Sequence, residues 1–552
     1  MHVHLRQKQG RLLGTVASLL VALSVFVAAH RFSESRATSA IVQSSSAAEA
    51  EALVKSVGGT VTHELGIIDA VGARLTSSQL AAVKEKGARV YGDGQVKVAD
   101  YGSSSASYPN SVYPTLVGAA TLHQQGITGK GVTVAILDTG WWYGNSAERD
   151  NTSTDDRSIR AEYSAITNTV GRLPSDGYGH GTHVLSVIMG SQKADDGTWM
   201  GIAPDANLVA VQAFDSYGIA TYANVIRGLN WILANKTKYN IRVLNCSFAG
   251  VPLSRYWDDP VNQAVTKLWQ AGIVVVASAG NAGPSPMTIG VPGNNPYVIT
   301  VGAMTDNYTP SDPSDDKLAS FSSTGPTTEG FVKPEIVAPG GHMLGFMDPA
   351  HALLAKQFPQ FSTPNTQEFV MSGTSQAAAV VSGIAALVLQ KYPTLTPDQV
   401  KYRIMNTANP RLNSNGTLAY TVFQQGAGFV DAYDAVMSSR FGNANAGLDV
   451  NKDVAGTAHY GGTAQQYPNN GAYYIPGMSA YNWSGSYPGA AGYVWSNGYV
   501  WSNGYVWSNA YVWSNGYVWS NGYVWSNFFP SGYVWSNSLA EPTSVNFWVK
   551  QE

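Results

Sequence analysis

The sequence predicts an α/β protein built on a doubly wound, mostly parallel sheet, with a small α/β unit before it and a repeat tail, read as β, after it. Three observations carry this. Short apolar runs rich in β-branched residues recur at 132–137, 207–212, 243–247, 273–278 and 298–301. Helical stretches such as 222–234 and 258–271 separate them. Strands that read as unbroken apolar runs belong to parallel sheets with helices on both faces. Third, composition changes beyond residue 440: residues 441–552 hold six charged residues, none between Asp453 and Glu541.

The 552-residue chain suggests roughly two to four domains. Charged residues make up 12%, against an average of about 25%. The net charge of −3 excludes a nucleic-acid partner of the usual basic kind. Cys246 is the one cysteine, so no internal disulfide forms; within an apolar strand it reads as a small buried hydrophobe. At the N-terminus, Arg6, Lys8 and Arg11 precede an uncharged run from Leu12 to Ala29, with Val27 and Ala29 placed for cleavage. This predicts a signal peptide over 1–30 and a secreted protein. The run lies at the short edge of a membrane span, so an uncleaved anchor is the alternative.

A Ser/Ala-rich linker is expected over 31–48 and a small α/β unit over 49–100. That unit has helices at 48–57 and 77–86 and strands at 58–65, 67–75 and 88–98. A loop at 101–114 leads into the large domain, 115–440. In the tail, 441–552, repeats span 492–537. Six unbroken hexads from Gly492 to Asn527 read GYVWSN except at Ala510, and a seventh starts at Gly532. A period of six puts Tyr, Trp and Asn on one face of a strand and Gly, Val and Ser on the other. One continuous strand would reach about 120 Å, so the run folds back at its Asn-Gly pairs or coils as a small solenoid. Glycan or cell-envelope binding, packing on the large domain, self-association and disorder all stay open for it.

Three segments carry chemistry. Ser372-Gly373-Thr374-Ser375-Gln376 precedes a small-residue helix at 379–390. A serine there sits near unpaired backbone N–H groups and the positive end of the helix dipole, which suits a developing oxyanion. Gly373 is expected to allow a sharp bend. His180, between Gly179 and Gly181, is expected to stand exposed at a cleft as the general base. Asp138 ends the first strand of the large domain, where parallel sheets gather ligands, and could orient the imidazole. Each residue alone has an ordinary structural reading: a helix-cap serine, a structural or metal-binding His180–His183 pair, a loop carboxylate. Together, in the order Asp, His, Ser, they spell nucleophilic acyl transfer.

AILDTG around Asp138, GHGTHV around His180 and SGTSQAA around Ser375 resemble the three signatures of the subtilisin-like peptidases. LNCSFAG (244–250), VVVASAGN (274–281), SFSSTGP (320–326) and KPEIVAPG (333–340) continue the likeness over about 115–440. The resemblance implies a subtilisin-like fold and a serine endopeptidase acting on protein or peptide substrates. It implies an Asp138–His180–Ser375 triad with Asn281 as side-chain donor of the oxyanion hole. Ser247, Phe248 and Ala249 match the strand that pairs with the substrate backbone, and 217–220 the opposing strand. Gly280, Ala282, Ile289 and Gly290 match the first specificity pocket; none is charged, which implies a preference for apolar or aromatic side chains. Ala249 stands where the family usually has glycine, Gln376 for a common methionine and Ala379 for a usual proline. The 49–100 unit resembles the family's inhibitory prosegment, an own-chain partner released by autocatalytic cleavage between about 98 and 114; a permanent extra domain is the alternative. No cofactor is required for catalysis. Structural calcium is usual in the family, and Asp150, Asp155 and Asp156 form an acidic loop, but no ligand is assigned. A noncatalytic adhesion protein using the aromatic repeats is the rival from another class.

Overall fold

The computed structural model describes residues 37–98, 113–143, 159–193, 197–310, 312–362, 367–468, 472–475 and 499–500. They fall into two compact units, divided between Asp93 and Gly94. The leader, most of the 101–114 loop, the acidic loop and all of the hexads except Tyr499–Val500 lie outside the described residues.

The first unit comprises β1 (Thr38–Gln43), α1 (Ala47–Ser56), β2 (Thr60–Leu65), β3 (Ala70–Leu75), α2 (Ser77–Glu85) and β4 (Arg89–Gly92). Its antiparallel sheet runs β2-β3-β1-β4. Ser46 accepts from Glu49 N–H at the start of α1, and Thr76 with Gln79 forms a capping box on α2. These caps satisfy donors that a helix start leaves without carbonyls. Ala50, Val54, Leu80 and Val83 of the helices meet Val42, Val71, Ala73 and Leu75 of the sheet in one core. The linker expected over 31–48 is therefore corrected: Thr38–Gln43 is an inner strand, with Ala40, Ile41 and Val42 buried. Ile41 and Val42 among serines and alanines are too short an apolar run to show alternation.

The expected strand region 88–98 also divides. β4 closes the first sheet, whereas β5 (Gln95–Val98) belongs to the second unit. There follow β6 (Thr133–Asp138), β7 (Ile159–Ser164), α3 (His180–Met189), β8 (Asn207–Gln212), β9 (Ile219–Thr221), α4 (Tyr222–Tyr239), β10 (Ile241–Cys246), β11 (Phe248–Ala249), α5 (Pro260–Gln270), β12 (Val274–Ser278), β13 (Ile299–Thr305), β14 (Ile336–Pro339), β15 (Met343–Phe346), β16 (Glu368–Met371), α6 (Thr374–Lys391), α7 (Pro397–Asn406) and α8 (Val450–Val454).

The main sheet has nine strands. Its parallel body runs β13-β12-β10-β6-β8-β7, with β14 also beside β13 and two-residue antiparallel strands at 317–318 and 169–170. Every residue of β6, β8, β12 and β13 is buried, as a sheet covered on both faces requires. α3 and α6 pack on one another and α4 packs on α5. From β6 the chain moves to one side for β7 and β8, then to the other for β10. The reversal between β6 and β10 opens a crevice at their carboxyl ends, where Asp138 and Ser247 lie.

The large domain does not stop at 440. α8 packs on α5, and the described residues include 441–468 and 472–475. Among the described residues, no helix is long and apolar enough to cross a membrane.

Candidate active site

Asp138 is the last residue of β6 and is 1% exposed. Its Oδ1 accepts from His180 Nδ1 at 2.8 Å and from Thr139 N–H at 2.7 Å. With Nδ1 donating, His180 Nε2 is left as the acceptor, the tautomer a general base needs. His180 opens α3 and is fully buried, so the expected exposure is not found. The flanking glycines serve close approach instead. A Cβ at Gly181 would stand 2.3 Å from Gly140 O, blocking the contact of α3 with the Asp138 loop. Gly179 has φ +104°, and its Cβ would meet Met347 Sδ at 2.8 Å.

Ser375 lies inside the first turn of α6, which starts at Thr374, five residues before the predicted start. Its backbone N–H is thus among those a helix start leaves without a carbonyl. Gly373 is extended at φ 167°, a conformation any residue adopts, so no sharp bend is made there. Ala379 is buried within α6, and the helix forms without the family's proline. Ser375 Oγ donates to Ser247 O at 3.0 Å, and Ser247 Oγ donates to Ser375 O at 2.9 Å. This reciprocal pair joins the end of β10 to the start of α6. Packing of α3 on α6 draws the histidine and serine segments together.

Asn281 follows β12. Its Oδ1 accepts from Thr374 N–H at 3.0 Å and Thr374 Oγ1 at 2.8 Å. With the carbonyl end held, the amide N–H groups are what the side chain offers elsewhere, as an oxyanion donor requires. β5 lies between β9 and β11 as the middle strand of an antiparallel trio. Lys97 pairs with Ile219 and Ala249, Val98 with Phe248. The opposing strand is Ile219–Thr221, slightly later than the expected 217–220. A cavity of about 180 Å³ adjoins these strands, lined by Ala249, Gly280, Asn281, Ala282, Ile289 and Gly290 among others. The expected pocket residues therefore converge, and no charged side chain lines the cavity. The Ala249 methyl reaches its base, 2.7 Å from where a Gly290 Cβ would be.

Several residues escaped the sequence reading. Asp176 is fully buried and receives four bonds: Tyr178 N–H and Gly179 N–H on Oδ1, Thr182 N–H and Thr182 Oγ1 on Oδ2. It ties the turn that presents His180. Asn245 donates to Ser247 Oγ at 2.8 Å and accepts from Ser382 Oγ at 2.9 Å, steadying the strand beside Ser375. His183 is a structural residue: Nε2 meets Met343 O and Phe369 O, each at 3.1 Å, joining α3 to β15 and β16. Burial, with His180 nearby, pushes its pKa down to about 3. Gln376 is buried with its amide 3.4 Å from His183 Nδ1, which links the start of α6 to α3. These residues had one signal, polar types beside the motifs, which does not distinguish support from surface. Among the described residues no group of three or more His, Cys, Asp or Glu could hold a metal ion.

A family model of the subtilases matches residues 129–442. The chain belongs to the subtilase family. It is 38% identical over 322 residues to the serine protease AprX of Bacillus subtilis, covering 56% of this chain and 67% of that protein. To subtilisin E of Bacillus subtilis it is 30% identical over 371 residues, covering 67% of this chain and 83% of the relative. Among solved structures, fervidolysin from Fervidobacterium pennivorans, a keratinolytic enzyme related to subtilisin, superposes with TM-score 0.57 at 22% identity. That match covers 73% of this chain and 61% of fervidolysin, and it bears on fold alone. As a subtilase this chain is a serine endopeptidase with the subtilisin-like α/β fold.

Proposed function

We propose that the chain is a secreted endopeptidase, made as a self-processing zymogen, that hydrolyses peptide bonds through an acyl-enzyme on Ser375. The observation that carries this is the buried Asp138–His180 pair at 2.8 Å beside the first turn of α6. In acylation the Ser375 Oγ–carbon bond forms as its proton passes to His180 Nε2. Asp138 holds the ring and stabilises the imidazolium without taking the proton. The carbonyl oxygen, now anionic, takes hydrogen bonds from Ser375 N–H and Asn281 Nδ2. The carbon–nitrogen bond then breaks, and His180 returns the proton to the leaving amine. Water repeats the sequence with His180 as base and frees the carboxylic acid. Neither step calls for a cofactor; structural calcium is proposed without ligands.

Substrate binds as an extended strand between β9 and β11, where backbone pairing gives affinity without sequence demands. β5 supports this, because it occupies that position now. Its last pair is Val98 with Phe248, next in sequence to Ser247, whose carbonyl meets Ser375 Oγ. The scissile bond then follows β5, within the expected 98–114 window. Held in this way, cleavage is effectively intramolecular, and the freed segment ends as a product-like inhibitor. The hexads would give the exported enzyme an aromatic surface for glycan or cell-envelope contact.

The test is Ser375→Ala protein beside wild type in a heterologous host. Wild type should label with a fluorophosphonate, hydrolyse casein and be cleaved between about 98 and 114. The variant should do none of these. Casein hydrolysis by the homogeneous variant would overturn the nucleophile; an unlabelled, inactive wild type would favour the adhesion reading.

A further inference from the structure

Met287 lines one part of the specificity cavity, and Pro326, Thr327 and Thr328 line another. Met287 is held at φ 62°, a left-handed conformation uncommon for a side chain of its size. Thr327 begins a tight turn, with Gly330 N–H donating to its carbonyl at 2.9 Å. Both are held by contacts from residues 443–468 and 472–475, which lie beyond the family match at 129–442.

The grip has three points. Gly462 N–H donates to Glu329 O at 2.7 Å and Ala464 N–H to Gly330 O at 3.0 Å. A Cβ at Gly462 would stand 2.0 Å from Gly330 O, so only glycine permits this approach. Tyr473 Oη reaches Met287 Sδ at 2.8 Å, and its ring meets Phe423 edge-on at 6.4 Å. The segment is itself anchored in the interior. Asp453 Oδ2 accepts from Tyr256 Oη at 2.6 Å and Tyr297 Oη at 2.9 Å, and Tyr460 N–H donates to Tyr256 Oη at 3.1 Å.

We propose that residues 443–468 and 472–475 form a strap that shapes the pocket for the residue before the scissile bond, with Tyr473 and Gly462 as positioning residues. This rests on the reading of that cavity as the first specificity pocket. Neither residue touches substrate; each sets a wall that does. Without the Tyr473 ring, Met287 loses its backing and the pocket loses its defined depth. Large apolar side chains, which fill the pocket, should suffer; alanine, which does not reach that wall, should not.

Tyr473→Ala, Tyr473→Phe and Ala249→Gly are compared with wild type on one peptide series varied at that position, each corrected for active sites titrated with a fluorophosphonate. Tyr473→Ala should lower kcat/KM for Phe and Leu peptides about tenfold, chiefly through KM, with less than about twofold change for the Ala peptide. Tyr473→Phe keeps the ring against Phe423 but loses the hydroxyl on Met287 Sδ, and should show a smaller loss on the same peptides. Ala249→Gly alters the wall directly and should shift the preference toward larger side chains. If Ala249→Gly shifts the preference and Tyr473→Ala does not, the strap proposal is overturned and the pocket reading stands. If neither shifts it, both are overturned. Should Tyr473→Ala yield no titratable sites, Tyr473→Leu replaces it under the same criteria.

Discussion

The catalytic segments are positioned by residues that never meet the substrate, and His183 is one whose chemistry is testable. It sits three residues after His180, fully buried, with backbone carbonyls on Nε2 and Gln376 against Nδ1. An unfolded histidine titrates near 6.5, whereas burial holds this one near 3. Between those values the unfolded chain carries a proton that the folded chain lacks, so stability must fall as pH drops through that window. Its contribution is fully present above about 6.5 and declines by up to about 1.4 kcal/mol per pH unit below it. Urea midpoints at pH 7, 5.5 and 4 should therefore converge for wild type and His183→Gln as pH falls. A constant gap between the two proteins would show that His183 does not carry the acid limb.

Among the elements, β5 behaves unlike its neighbours in sequence. β4 ends one sheet at Gly92, and β5 begins three residues later as the centre of another. Tyr222 N–H donates to Gly94 O at 2.6 Å, and Val96 is 1% exposed against Gly250. Val96 Cγ1 stands 2.8 Å from where a Gly250 Cβ would be, so glycine there makes room for it. Val96 then anchors the proposed inhibitory strand. Val96→Asp places a charge in that buried position, which a lone carboxylate tolerates poorly. Fragment 37–98 with this change should inhibit the mature enzyme at least about tenfold more weakly than the wild-type fragment. Mass spectrometry of the processed wild-type protein should find the new N-terminus between about 98 and 114. Equal inhibition, or a terminus outside that window, would break the proposal.

For the whole molecule, the catalytic unit is larger than its motifs. Asp453 reaches from α8 into the interior, taking Tyr256, Tyr297 and His459, while His459 stacks on Trp257 at 5.0 Å. Asp453→Ala would strand two buried hydroxyls, each costing about 1–3 kcal/mol. The expected outcome is a large fall in urea midpoint with the fluorophosphonate-labelled fraction unchanged under native conditions. Ending the chain after Ile475 leaves this network whole, and that protein should keep the wild-type midpoint. A neutral Asp453→Ala would show that the strap is dispensable for stability.

How much could be read in advance follows from the range of the interactions. Apolar runs and glycine-bounded motifs are local, so the parallel sheet and the triad segments were legible from neighbouring residues alone, whereas the uncharged pocket was expected only through the family resemblance. Helix starts were not: α6 begins five residues early because Thr374 and Ser375 are held by Asn281 and Ser247, distant in sequence. Lys401 shows the same limit. On an amphipathic helix it reads as a surface lysine, yet it is buried with Nζ donating to Pro296 O, Tyr297 O, Val298 O, Asn445 Oδ1 and Glu335 Oε1. A buried charge is stable only where partners converge, and convergence is a property of the fold. The sequence by itself determined the reaction class, the order of the catalytic residues and the layered architecture. Only the tertiary structure decided which unit β5 joins, that Thr38–Gln43 is an inner strand, and that Gly462, Ala464 and Tyr473 meet Glu329, Gly330 and Met287. Those outcomes depend on backbone pairing and buried hydrogen bonds between segments far apart in the chain, which leave no periodicity in either segment.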